Sequence, residues 1–158
     1  MTPSAPSSTL GTLLRRLLDH LDGAVEQAYL DAGLDYRPRF TPVLRALLRE
    51  GPMTIRALSR RTGVTHSGVS QTVAQMAGRS LVSLQPGEDA RERIVALTPT
   101  AEALLPRLEA CWAATEAAAR TLDQDLGQSV PQLVARALEA LERRPFIDRI
   151  AQAARDIP

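Results

Sequence analysis

Apolar residues recur at three- and four-residue spacing along most of the chain, the period of a helix with one buried face. The first such stripe is Leu10, Leu13, Leu14, Leu17, Leu18, Leu21, Val25, Ala28 and Tyr29, with Asp19, Asp22 and Glu26 lying off it. Gly33 suits the end of that helix. Residues 34–40 read as a connector, because Pro38 opposes helix there. Thr41 and Pro42 then predict a helix start, an N-cap followed by proline at the first helical position. Val43, Leu44, Leu47 and Leu48 supply its apolar face, and Gly51-Pro52 ends it. Met53 is a candidate stub of strand. Thr54 caps a helix that runs to Arg61, with Ile55 and Leu58 turned inward. Gly63 makes the turn, since glycine takes positive φ without strain, and Val64 packs into the angle. Thr65 caps the next helix, from His66 to about Ala77, whose Val69, Val73 and Met76 face the core.

The period then changes. Residues 81–85 read as a strand, 86–92 as a charged tip containing Pro86-Gly87, and 94–97 as a returning strand that pairs with Val82 and Leu84. Thr98-Pro99 opens another helix, whose stripe of Leu104, Leu105, Leu108, Cys111, Trp112 and Thr115 continues to about Leu122. Gly127 breaks it. Ser129, Val130 and Pro131 start a further helix carrying Leu133, Val134, Ala137, Leu138 and Leu141. Pro145 interrupts, and Phe146, Ile147 and Ile150 predict a last short helix. Helix, tight turn, helix, strand, tip and strand over residues 53–98 form the signature of a winged helix-turn-helix. The expected fold is mainly α with a small antiparallel β-hairpin, in one domain over 1–158. Residues 41–98 form its winged helix-turn-helix region, and helices over 9–33 and 100–156 flank it. Residues 1–8, rich in Ser, Pro and Thr, are expected to be disordered.

At 158 residues the chain is long enough to bury a real core. Its apolar runs fall far short of the roughly 20 residues of a membrane span. The opening MTPSAPSSTLG has no basic start and no apolar signal core, so a cytoplasmic protein is expected. The single cysteine, Cys111, excludes an internal disulfide and a cysteine-based zinc site. The net charge of +1 hides an uneven distribution. Residues 37–98 hold ten arginines against four acids, a local +6, and the remainder is −5. A basic centre between acidic flanks suits a domain that faces phosphate. Every cation is arginine, which contacts phosphate at least as well as lysine.

No P-loop, dinucleotide glycine fingerprint or nucleophile elbow is present. His66 stands beside Ser67, but neighbours on a helix point in different directions. An enzyme is therefore not expected, nor a cofactor or metal. His20 is a lone surface or interface histidine, and His66 has no ligand-type residue at metal spacing. Cys111 reads as a buried, inert thiol on the stripe, with a redox sensor as the alternative.

The outer face of the second helix carries His66, Ser67, Ser70, Gln71 and Gln75. With Thr65, these are short hydrogen-bonding side chains near a helix N-terminus, able to reach base edges in a major groove. Gln can pair bidentately with adenine. Arg91 on the wing can enter a minor groove, with Asp89 two residues away holding it by a charge-assisted hydrogen bond. Arg93 and Arg60 or Arg61 would meet phosphates. Taken singly, each Ser or Gln is equally well a solvated polar residue. A winged helix used for protein–protein contact, without specific DNA binding, is the alternative for the whole region.

Asp89-Ala90-Arg91, followed after five residues by Leu97-Thr98, matches the wing pattern of the MarR (multiple-antibiotic-resistance regulator) family. The helix-turn-helix from Leu58 to Leu81 fits that family's layout without a gap, and the flanking helices have the right number and order. The chain therefore resembles a MarR-family winged-helix repressor over nearly its whole length. The resemblance implies a homodimer built on the terminal helices, here Leu10, Leu13, Leu14, Leu17, Phe146 and Ile150. It implies two recognition helices in successive major grooves of double-stranded DNA and two wings over minor grooves. It also implies release by a small, often phenolic, effector or by cysteine oxidation. Tyr29, Tyr36, Phe40 and Trp112 could line an effector pocket, though aromatic residues in a helical protein are more often core. Two departures stand out. Ser80 replaces the family's usual glycine before the strand, and His66 and Gln71 stand where the family often has arginine or lysine. Fewer cations there mean less phosphate-driven affinity.

Overall fold

A computed structural model describes residues 8–87, 89 and 92–157. The expected disorder of residues 1–8 lies outside them except for Ser8. Among the described residues seven α-helices and three strands follow in the order α1 (Leu10–Asp31), α2 (Thr41–Glu50), β1 (Met53–Thr54), α3 (Ile55–Thr62), α4 (His66–Gly78), β2 (Val82–Pro86), β3 (Arg93–Leu97), α5 (Pro99–Leu126), α6 (Val130–Arg143) and α7 (Phe146–Asp156). The architecture is mainly α with a small antiparallel sheet. The chain divides into two compact units, Met1–Trp112 and Ala113–Pro158, with the division inside α5. Among the described residues no helix is long and apolar enough to cross a membrane.

The local signals for helix starts act through side chains. Thr54 accepts the Ala57 N–H at 3.2 Å, Thr65 the Gly68 N–H at 3.2 Å, and Thr98 the Ala101 N–H at 3.2 Å. Each satisfies one of the free N–H groups that open a helix. Ser129 does the same for α6. Thr41 departs from expectation. A 3₁₀ turn over Pro38–Phe40 runs directly into α2, so Thr41 is already helical and caps nothing. Its hydroxyl instead lies 3.5 Å from the Tyr29 hydroxyl and 3.4 Å from that of Tyr36.

In the first unit the core gathers α1, α2, α3, α4 and the sheet. Phe40, Leu44, Leu58, Val69, Met76 and Val95 are fully sealed within it. The sheet runs β1-β3-β2, with β3 central. Met53 pairs with Val95, and Val82 and Leu84 pair with Leu97 and Val95, so the stub at Met53 becomes a third strand. Val95 therefore sits at the middle of the sheet, and alternation puts its side chain into the core. The start of α5 adds Ala101 and Leu108, and Pro106 stands inside that helix without ending it. Arg107 donates to the Ala32 carbonyl, supplying a cation and a donor at the exposed C-terminus of α1.

The second unit holds the end of α5 with α6 and α7. Asp123 accepts the Val130 N–H at 2.9 Å and so fixes the turn after Gly127. Arg149 donates to the carbonyls of Ala140 and Arg144, which ties α7 back to the end of α6. Neither α6 nor α7 has a buried residue.

Candidate nucleic-acid interface

The turn between α3 and α4 is fixed by its own hydroxyls. Gly63 takes φ 69°, left-handed as the turn demands. Thr62 donates to the Leu58 carbonyl at 2.8 Å and accepts the Val64 N–H at 3.3 Å, while Ser59 donates to the Val64 carbonyl at 2.6 Å. These bonds occupy the polar backbone of the turn and set the direction in which α4 leaves. Gly68 completes the arrangement: a Cβ there would lie 2.9 Å from Val64 Cγ1 and 3.1 Å from the capping Thr65 oxygen. A larger residue at position 68 would push the Val64 side chain and the Thr65 cap aside.

On α4, Thr65, His66, Ser67 and Gln71 are exposed, and Ser70 is half-buried. The Thr65 and Ser67 hydroxyl oxygens are 3.4 Å apart, gathered at the helix N-terminus where the partial positive charge favours an anion. Gln75 corrects the expected outer face. It is half-buried, with its side-chain oxygen enclosed and without a hydrogen-bond partner among the described residues. The cause is helical geometry: Gln75 follows buried Thr72 by three residues and precedes Arg79 by four, so it lies along the core edge. Arg79 closes that edge. Its guanidinium meets Asp35 at 3.1 Å, donates to the Gln75 carbonyl at 3.4 Å and lies 5.4 Å over the Phe40 ring.

The start of α4 and the base of the wing share one cleft of about 320 Å³, lined by Arg56, His66, Asp89, Glu92 and Arg93 among others. His66, Asp89 and Arg93 carry separate sequence signals, and the fold brings them together. Arg56, in the first turn of α3, joins them, and no sequence motif singles it out. The described residues that line the cleft include two arginines and two carboxylates. The wing tip is closed by backbone bonds, Gly87 N–H to the Glu92 carbonyl at 3.0 Å and Glu92 N–H to the Asp89 carbonyl at 2.9 Å. Arg91, and with it the expected Asp89–Arg91 hydrogen bond, lies outside the described residues. Arg60 is exposed, and Arg61 pairs with Glu50 of α2 at 2.9 Å.

The four aromatic residues do assemble, as packing. Tyr29, Tyr36 and Phe40 are at most 2% exposed, with ring centroids 5.0 and 5.5 Å apart in edge-to-face pairs. Trp112 donates to the Tyr29 hydroxyl at 3.0 Å. Burial pushes the Tyr36 phenol well above its ordinary value, against the lowering effect of its hydrogen bond to Thr41. Cys111 is half-buried beside Trp112, with its sulfur 4.0 Å from the Ala28 carbonyl.

Residues 38–92 match the model of the MarR family. No curated protein matches the sequence. Among solved structures, the chain is similar to the transcriptional regulator MOSR of M. tuberculosis in complex with DNA. Identity is 23% and the TM-score 0.68, over 93% of this chain and 98% of that one. It is also similar to BpsR of Bordetella bronchiseptica, whose DNA binding is regulated by 6-hydroxynicotinic acid. There identity is 20% and the TM-score 0.63, over 87% of this chain and 98% of that one. A MarR family regulator from Neisseria meningitidis shares 25% identity at a TM-score of 0.58, over 91% of this chain and 95% of that one.

Proposed function

We propose that this chain, which belongs to the MarR family through residues 38–92, acts as a homodimeric repressor with α4 in the major groove and Arg91 in the minor groove of double-stranded DNA. Its family is one of DNA-binding transcriptional regulators. The observation that carries the finer reading is the shared cleft, where His66 at the start of α4 and Arg93 at the base of the wing meet. A duplex lying along that line would meet the α4 N-terminus and the wing at once. Thr65, Ser67, Ser70 and Gln71 would then face base edges, and Arg56, Arg60 and Arg93 the phosphates.

Two exposed apolar surfaces support the homodimer. On α1, Leu10, Leu13, Leu14 and Leu17 are all exposed, Leu10 by 66%. On α7, Phe146 and Ile150 are 58% and 51% exposed. Contiguous apolar faces of this kind are rare on a monomer and mark contact surfaces, and a second copy with twofold symmetry is the commonest partner. The terminal helices over 9–33 and 100–156 would then form the dimer, and 41–98 the DNA-binding region. A small aromatic effector belongs to the same reading. Its entry would have to open the Tyr29–Tyr36–Phe40 packing, so binding would register in the emission of Trp112.

The deciding experiment is a salt titration of binding to mixed-sequence duplex, alongside fragments selected from the native genome. Affinity should fall linearly on logarithmic axes as salt rises, with selected fragments bound more tightly. Absence of binding at low salt would overturn the reading in favour of a protein–protein module. Repression is tested by a reporter behind a selected fragment, whose output should fall when the protein is supplied.

A further inference from the structure

We propose that Arg45 and Arg49 of α2, with Arg61 of α3, form a second phosphate-contact surface that extends the grip on DNA beyond α4 and the wing. The inference rests on the DNA-binding reading above and adds contacts that neither the helix-turn-helix nor the wing supplies. A hollow of about 410 Å³ opens between α2 and the end of α3, lined by Arg45, Arg49, Glu50, Arg61 and Thr62 among others. Arg45 and Arg49 are four residues apart on one helix face, and like charges at that spacing repel. Both are exposed, and neither has an ion-pair partner among the described residues. The one acid lining the hollow, Glu50, is paired with Arg61 at 2.9 Å. Three guanidinium groups thus surround one carboxylate. The described residues lining the cleft at the wing, by contrast, hold two carboxylates for two arginines. Arg45 and Arg49 are thus uncompensated cations on the α2 side.

Arg45 is also held in place. Its guanidinium lies 4.6 Å over the Trp112 ring, a cation–π contact that lowers the entropy lost when an anion is met. The position suits DNA. Thr62 is the last residue of α3 and stands three residues before Thr65, the cap of α4. Three residues of chain span at most about 10 Å, the rise of roughly three base pairs. Phosphates bordering the groove occupied by α4 would therefore come within reach of the hollow. Guanidinium forks match phosphate oxygens. A small-molecule site, by contrast, is concave, closed and mostly apolar, unlike this open, arginine-lined surface.

The test compares the full-length protein with Arg45→Gln/Arg49→Gln on a duplex that extends beyond the selected site. Losing two phosphate contacts in each protomer, about four in the dimer, should reduce the slope of log affinity against log salt by about 3.6. The loss of affinity between about 50 and 200 mM salt should then shrink roughly 150-fold. Trp112 is the only tryptophan, so duplex binding should change its emission in the parent and change it less in Arg45→Gln. Arg49→Glu is a second variant, at an exposed position without an ion pair among the described residues, and should weaken binding and lower the slope by about two, one contact from each protomer. A double variant with the parent's slope, or Arg49→Glu with the parent's affinity, would overturn the proposal while the parent still binds DNA. A parent that binds no duplex at any salt would instead remove the DNA-binding reading itself.

Discussion

Ser80→Gly should raise stability, by an amount that the backbone sets. Ser80 joins the end of α4 to β2 and takes φ 56°, a left-handed conformation held elsewhere among the described residues only by glycines. The turn is well tied. The Ser80 N–H donates to the Ala77 carbonyl and the Leu81 N–H to the Met76 carbonyl, each at 2.9 Å, and the Thr98 hydroxyl donates to the Ser80 carbonyl at 2.5 Å. All three bonds use backbone atoms of residues 80 and 81, so glycine at position 80 keeps them. A side chain in this region costs about 1–2 kcal/mol, and glycine relieves that strain. The greater freedom of glycine in the unfolded chain returns about 0.4–1 kcal/mol. The net gain is about 0.5–1 kcal/mol. For a chain of this size each kcal/mol moves Tm by about 2–4 °C, so the variant should melt about 1–4 °C higher. The measurement is thermal unfolding followed by circular dichroism at one fixed protein concentration, because the proposed dimerisation would make Tm depend on concentration. Ser80→Ala keeps the strain and should gain nothing. The direction of β2 after α4 is unchanged by Ser80→Gly, so operator affinity should stay within about twofold, since no contact to DNA is altered. A Ser80→Gly variant that melts at or below the parent would refute the strain argument.

Arg91→Ala should weaken operator binding by about 1–3 kcal/mol with Tm near the parent's; a folded variant of unchanged affinity takes the wing out of the mechanism. Gln71→Ala should shift sequence preference more than overall affinity, and equal losses across operators would make Gln71 a phosphate contact. Leu17→Glu should give monomers in light scattering, an expectation that a monomeric parent would undo. Tyr36 supplies a pH dependence. Its buried phenol is held neutral in the folded protein, so its contribution is complete below the ordinary phenol value near pH 10. As pH rises above that value the unfolded chain ionises first, and stability should fall by up to about 1.4 kcal/mol per pH unit. Tyr36→Phe should flatten the decline in urea midpoint between about pH 9 and 11, and an identical decline would assign it to another group.

The elements that sequence reveals best are those whose signal is local. Thr54, Thr65, Thr98 and Ser129 each satisfy a helix N–H within three residues of themselves, so their meaning needs no knowledge of the fold. Gly63 is legible for the same reason. Thr41 carries the same cap-then-proline signal and fails, because a tertiary demand overrides it. Two tyrosine hydroxyls from α1 and the connector converge on its oxygen, and the 3₁₀ turn leaves no break for a cap. Gln75 fails by a smaller margin. Its position on the helical wheel lies at the border of the buried face, and Arg79, four residues on, is drawn over that border by Asp35 and Phe40, about 40 residues back in the chain. Arg56 was missed because its neighbour in the cleft is the wing, a partner that periodicity does not name.

The terminal helices show what periodicity leaves open. The leucine stripe of α1 and the apolar stripes of α6 and α7 are as regular as that of α2. Yet Val43, Leu44 and Leu47 of α2 are buried, while α6 and α7 bury nothing and α1 buries only Tyr29. A stripe states which face of a helix avoids water and is silent on whose surface covers it. In α2 the cover is the helix-turn-helix and sheet of the same chain, reached through short connections. For α1, α6 and α7 the described residues of this chain provide no such cover, and Leu10, Leu138, Phe146 and Ile147 are each more than half exposed. Each such side chain would gain about 1.5–3 kcal/mol on full burial, so a handful of them meeting a second copy is enough to offset the several kcal/mol that association costs. On that account the proposed dimer would be a continuation of folding for the terminal helices, and breaking it should unfold or loosen them before it touches the winged helix-turn-helix.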